Sequence, residues 1–261
     1  MKTASALSSA AYLLRGLRLL NRPGIRGYVA LPLGINLVVY LLVGWFVGRK
    51  ILAFNALLLG HLPPWLGWLD TLVWLLFGLI ALLVTAYTFT LLANLIAAPF
   101  NGLLAERVEL AFTGSLPPDN GDWKVLMKNI IPDLANELRK VLYFASRAGV
   151  LFLLTLIPVV NLFAAPLWLI FSAWMMALEY LDYPMANHRL RFKAQRLQHR
   201  QYPVNLLSFG AATLLISVTP VINLLAMPAA VAGATALWVE QLQPARGESA
   251  PRHSERTARA E

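Results

Sequence analysis

The sequence predicts an all-α integral membrane protein. Its expected parts are two full transmembrane helices, two re-entrant (partially penetrating) helical hairpins, an N-terminal interfacial helix and protruding cytoplasmic helices. Three observations predict it. Of 261 residues, 58% are hydrophobic and only 13% charged, where a soluble domain carries roughly 25% charge. The mean hydropathy of +0.61 leaves too little polar surface to cover a water-soluble globule. The apolar residues also collect in four long charge-free stretches, two of them interrupted by matching Pro-Asn turns.

Residues 4–20 set Leu7, Ala11, Leu14 and Leu17 at helical spacing, with Arg15 and Arg18 on another side. That pattern reads as a helix lying in the interface. The same arginines interrupt the apolar run 10–20, which a cleaved signal peptide would keep whole. The first crossing, 27–48, has 22 residues and as a helix reaches about 33 Å, against a hydrocarbon core of about 30 Å. Pro32 lies near its start, where a missing N–H costs least. Arg49, Lys50 and His-Leu-Pro-Pro (61–64) form a short connection, flanked by Trp45, Trp65 and Trp68 as an aromatic belt. The second crossing, 71–98, has 28 residues, about 42 Å, so it must tilt or protrude. Pro99 ends it, and Asn101 caps a new helix. Residues 103–147 mix charged and apolar groups, predicting helices outside the bilayer with a turn at 114–121 (GSLPPDNG).

The last two stretches, 148–178 and 204–239, have 31 and 36 residues. Residues 157–166 (IPVVNLFAAP) align without a gap on 219–228 (TPVINLLAMP), six of ten identical, which reads as an internal repeat. Two full crossings need about 40 apolar residues plus a turn, and one needs about 20. A hairpin that enters and leaves by one face fits both lengths. Its turn must be buried in protein or wetted by a cavity, because lipid cannot hydrogen-bond backbone. Lys and Arg number five in 1–27, two in 49–64, six in 99–147, five in 179–203 and four in 239–261. Hairpins put all the basic regions except 49–64 on one face, which the positive-inside rule makes cytoplasmic. Residues 1–242 are therefore expected to form one membrane domain, and 243–261, short of large apolar groups, a disordered tail.

The chemistry is narrowed by absence. Without cysteine there is no disulfide, thiolate metal site or cysteine nucleophile. No phosphate-binding loop ending in Lys-Ser/Thr, no His-Glu-x-x-His and no nucleophile elbow occurs. His61, His188, His199 and His253 are scattered and read as solvated or interfacial rather than as ligands. Glu179 and Asp182 share a helix face beside the basic run 188–200. The net charge of +9 would point to nucleic acid in a soluble protein; in a membrane protein it fixes orientation. The sequence thus predicts no enzyme, no cofactor, no metal and no nucleic-acid partner.

Two places suit an anion or ion path. In Asn-Arg-Pro-Gly-Ile-Arg (21–26), Pro23 suits the first position of a helix. Gly24 admits close approach to the backbone, and the N–H groups that follow lie at the positive end of a helix dipole. Arg26 adds a fork of donors for an oxyanion, with Arg22 one turn away; basic anchoring of a transmembrane helix is the alternative. At 98–107, Asn101, Gly102 and Glu106 follow the helix break, and Glu106 is the first charge after 35 uncharged residues. A carboxylate there lines a path or caps a helix. Asn161 and Asn223, in the paired turns, are further path-lining candidates.

Together these features resemble the CysZ family of bacterial sulfate permeases. The resemblance rests on Arg-Pro-Gly-Ile-Arg (22–26), Ala-Ala-Pro-Phe-Asn-Gly-Leu-Leu-Ala-Glu (97–106) and Phe-Ser-Ala-Trp-Met (171–175). Asp-Tyr-Pro-Met-Ala-Asn-His (182–188) and 227–239 complete it, over roughly residues 10–240. It implies sulfate uptake across the inner membrane, with sulfite as a second oxyanion, supplying cysteine biosynthesis and ascribed a proton dependence. It implies an oxyanion site at Gly24, Ile25 and Arg26, and a homo-oligomer whose subunits insert in opposite orientations. Some relatives carry a second Arg directly after the first; this chain has Gly27. An anion-binding scaffold or regulatory membrane protein without transport is the alternative reading.

Overall fold

The computed structural model describes residues 6–59, 67–116, 123–219 and 222–243. Among them it is helical, with no strand: α1 (Ala6–Leu19), α2 (Arg26–Leu59), α3 (Gly67–Thr113), α4 (Trp123–Thr155), α5 (Pro158–Asn161), α6 (Ala164–Asn187), α7 (Phe192–His199), α8 (Pro203–Ser217), α9 (Asn223–Leu237) and a π-helical turn (Trp238–Leu242). The chain packs as two compact units, one of Met1–Arg22 with Leu104–Glu261, the other Pro23–Leu103. The connection at 61–64 with Trp65, most of the 114–121 turn, Pro220 and Val221 of the second break, and the tail from 244 lie outside the described residues.

The smaller unit holds α2 and most of α3. Leu37, Val38, Tyr40, Leu41, Leu42, Trp45 and Phe46 of α2 are all exposed, so apolar side chains surround the helix rather than striping it, as on a helix bathed in lipid. Arg26–Lys50 is long and apolar enough to cross a membrane. Two boundaries differ from the sequence expectation. The helix does not stop at Arg49 and Lys50 but runs to Leu59. Both cations instead stack one turn back, Arg49 4.8 Å from the Trp45 ring and Lys50 5.5 Å from Phe46, contacts that favour helix continuation. Nor does Pro99 end the helix: α3 passes through it to Thr113, so Asn101 lies inside a helix rather than capping a new one. One lost N–H bond is tolerable in a long apolar helix whose other backbone groups stay paired.

In the larger unit α9 is the core. Every residue from Ala229 to Trp238 is buried, and most are small. α1 and α6 pack on it, and α8 packs on both α1 and α6. The crossings bring backbone against backbone. A Cβ on Gly16 would stand 2.1 Å from the Ala229 carbonyl oxygen, one on Gly233 2.6 Å from that of Tyr12, and one on Gly210 1.8 Å from that of Ala173. Where lipid is as apolar as leucine, such close packing supplies the association.

The face of α1 turned to α9 carries Ser9, Tyr12, Leu13, Gly16 and Leu19, not the predicted stripe; Ala11 and Leu14 of that stripe are exposed. The helix therefore turns Ser9 and Gly16, its closest-packing residues, to the protein together with Tyr12, Leu13 and Leu19, and leaves Leu14 outward.

Both interrupted stretches break where the repeat places the breaks. α4 ends at Thr155, α5 holds Pro158–Asn161, and α6 resumes at Ala164. α8 ends at Ser217 and α9 starts at Asn223. Around the breaks the surface is bare and apolar: Phe152, Leu153, Leu156, Val159, Leu162, Phe163, Leu215, Val218 and Leu224 are all exposed. The far ends of the same helices carry the polar side chains described below. α6 and the Asn223–Leu242 segment are each long and apolar enough to span, yet the protein itself covers much of α9.

Candidate functional site

Between α1 and α2 the chain turns at Arg22–Ile25. Gly24 has φ +87°, the left-handed region open to glycine, and a Cβ there would meet nothing within 4 Å; its backbone conformation, not crowding, asks for glycine. That conformation is not helical, so Pro23 does not occupy the first helical position expected of it, and α2 begins at Arg26. Ile25, 3% exposed, anchors the turn. The Tyr28 N–H closes on the Ile25 carbonyl at 3.0 Å. The N–H groups of Ile25, Arg26 and Gly27 have no acceptor within their own helix and sit at its positive end. Arg26 and Gly27 are exposed, as an anion arriving from water requires. Arg22, also exposed, belongs to the other unit.

Asn101, Gly102 and Glu106 all lie on α3. Asn101 is buried and Glu106 half-buried. Burial raises the Glu106 carboxyl above its ordinary value, with Arg107 opposing and Glu109 adding. Asn161 and Asn223 are exposed, one ending α5 and the other starting α9.

Sequence reasoning missed several polar groups. Asn36, about 15 Å along α2 from Arg26, has a buried side-chain oxygen without a partner. In the larger unit Glu109, 1% exposed, meets His188 Nε2 at 2.8 and 3.0 Å. Lys140 gathers Asp182 at 3.0 Å, Glu137 at 3.1 Å and Glu179 at 3.3 Å. Burial alone would pull the ammonium down, but Asp182, Glu179 and Glu137 together hold it above its usual value. Gln195 Nε2 donates to Asp182 at 2.6 Å, completing the cluster. At the π-helical turn, Tyr12 and Arg15 donate to Glu240 at 2.6 and 2.7 Å. Burial, with Glu240 as acceptor, pushes the phenol up to about 12.

The solvated reading of two histidines is overturned: His188 is paired and half-buried, and His199 is buried with neither ring nitrogen bonded. His61 and His253 lie outside the described residues. A one-dimensional reading could pair Glu179 with Asp182 by spacing but had no means to find Lys140, 42 residues from Asp182. Among the described residues no group of three His, Asp or Glu side chains could hold a metal.

A family model described as Sulfate transporter CysZ/Etoposide-induced protein 2.4 matches residues 12–228. A sulfate transporter CysZ of Pseudomonas fluorescens (strain Pf0-1) is 45% identical over 238 residues, covering 91% of this chain and 95% of the relative. One from P. fluorescens strain SBW25 is 47% identical over 238 residues, covering 91% and 93%. The counterpart in Salmonella typhimurium (strain LT2) is 44% identical over 234 residues, covering 89% and 92%.

Proposed function

The chain belongs to the Sulfate transporter CysZ/Etoposide-induced protein 2.4 family, and from that premise we propose that it is a sulfate permease of the bacterial inner membrane. The anion is received at the Gly24–Gly27 turn. The observation that carries this is the left-handed conformation of Gly24, which turns the chain into α2 and leaves that helix's first amides beside the exposed Arg26. A dianion must shed tightly held water to leave solution. Backbone N–H groups and one guanidinium replace that water at charge-assisted hydrogen-bond distances without holding the ion permanently. Gly27, in place of a second arginine, leaves its amide open to the ligand.

From this turn the path follows α2 toward Asn36, whose unpartnered amide oxygen sits at a depth where lipid offers no donor. The two broken helical stretches enter and leave the bilayer by the cytoplasmic face. Their bare apolar tips and polar far ends support that reading, as does the distribution of basic residues. The exposed apolar surfaces of α2 and α3 support a homo-oligomer embedded in lipid. The imported sulfate supplies cysteine biosynthesis.

Uptake of labelled sulfate into liposomes holding only this protein tests the reading. Wild type should fill the vesicles above an empty-liposome background. Arg26→Ala should bind sulfate about tenfold to hundredfold more weakly in calorimetry, the range for losing one charge-assisted contact. Binding without uptake would leave an anion-binding scaffold; unchanged affinity in Arg26→Ala would move the site away from this turn.

A further inference from the structure

A second basic site lies in the larger unit and shares no residue with the turn at Gly24. α4 and α7 enclose an open groove lined by Arg139, Arg147, Lys193 and Arg196, with the Tyr143 ring between them. The residues Arg139, Tyr143, Arg147 and Val150 fall on one face of α4, while Lys193 and Arg196 come from one turn of α7. Two of the guanidinium groups stack on the same ring, Arg196 at 4.9 Å and Arg147 at 5.5 Å from the Tyr143 centroid. Phe192, buried, packs edge-on against Tyr143 at 5.4 Å and fixes it. Among the described residues no carboxylate pairs with any of the four cations. The neighbouring Lys140 is surrounded by three. The acidic groups of this region are thus spent on the buried lysine, and the groove keeps an uncompensated charge of about four, rim-exposed and open to a ligand.

The walls tell what kind of anion fits. Leu142 and Val150 line the groove and are more than half exposed. Beyond Val150 the face of α4 continues into exposed Leu153 and Leu154, about 10 Å from Arg147 along the axis. Cations therefore stand at the top of a continuous apolar ridge, at the boundary where α4 passes from its polar to its apolar half. A free inorganic anion has no use for the ridge, and a neutral lipid has no use for four cations. We infer that this groove binds the headgroup of an anionic glycerophospholipid, its phosphate oxygens held by Arg147 and Arg196 and its acyl chains laid along Val150, Leu153 and Leu154. Such a lipid anchors the base of the first broken stretch at a fixed depth.

The site and the sulfate turn share no residue, so either can fail alone. Native mass spectrometry of the whole protein in neutral detergent tests it by titration with phosphatidylglycerol, phosphatidylcholine, glycerol phosphate and sulfate. Phosphatidylglycerol should bind preferentially. Arg147→Gln/Arg196→Gln should weaken it about 25-fold, fivefold for each cation near a charged headgroup. Arg18→Gln/Arg200→Gln removes the same charge from exposed positions outside the groove and should leave the preference intact. Single Arg147→Gln, at an exposed position where folding is not at stake, should give the fivefold step alone. Equal binding of the two lipids, equal loss in both double variants, or displacement of the lipid by millimolar glycerol phosphate or sulfate would overturn the proposal. The last result would make the groove a site for a free oxyanion.

Discussion

Acidification should destabilise the larger unit in part through one residue, His199. It closes α7 at 1% exposure, with neither ring nitrogen hydrogen-bonded. Burial disfavours the imidazolium and lowers its pKa to about 4, although the charge of Asp182 works the other way. In the unfolded chain the same ring titrates near 6.5. Above that pH both states are neutral, and the residue adds no pH dependence. As pH falls from 6.5 towards 4, the unfolded chain takes up a proton that the folded protein refuses, so stability is lost through that window and no further below it. The loss is about 2 kcal/mol at pH 5 and about 3 kcal/mol by pH 4. In a unit of this size 2 kcal/mol corresponds to a Tm drop of roughly 4–8 °C. Thermal melts followed by tryptophan fluorescence at pH 7.5, 6, 5 and 4.5 read it directly. Other groups titrate in the same range, so the quantity to compare is wild type minus His199→Leu. At pH 7.5 the variant should match or exceed wild type, since it removes two unpaired polar atoms from the interior. At pH 5 it should lead by the full margin. Parallel loss of Tm in the two proteins would refute the reasoning.

Gly210→Ala should destabilise by about 1–3 kcal/mol, because its Cβ would stand 1.8 Å from a backbone oxygen. Gly149→Ala, with nothing within 4 Å, should stabilise α4 by up to about 1 kcal/mol; similar melts for the two would remove the close-crossing argument. Lys140→Met should lower stability by about 3 kcal/mol by leaving Asp182 unneutralised, and adding Asp182→Asn should restore part of it. Equal melting of the single and double variants would mean that charge is not what holds the cluster. Single cysteines at Leu138, Ala186, Gln201 and Gln243, in a chain with no native cysteine, should all label from one side of oriented vesicles. Opposite accessibility of the sites at 138 and 186 would defeat the hairpin reading.

Composition and periodicity alone determined the all-helical membrane class, the long apolar helices and the places where the two late stretches break. The burial requirement of apolar side chains and the conformations of Pro, Gly and Asn act locally, so a linear reading can see them. The Gly24 turn was legible for the same reason. Helix ends were less so: Pro99 lies within α3 and Arg49 and Lys50 within α2, because continuation depends on contacts around the helix as well as on the residue itself. Only the tertiary structure decided that α9, whose composition suits a membrane span, is the small-residue core on which α1 and α6 close. It alone brought Glu109 to His188 and three carboxylates to Lys140, and left Arg147 and Arg196 uncompensated on the Tyr143 ring. Pairings of this kind join residues tens of positions apart. Their energy depends on distance and local solvation, and neither exists until the helices have packed.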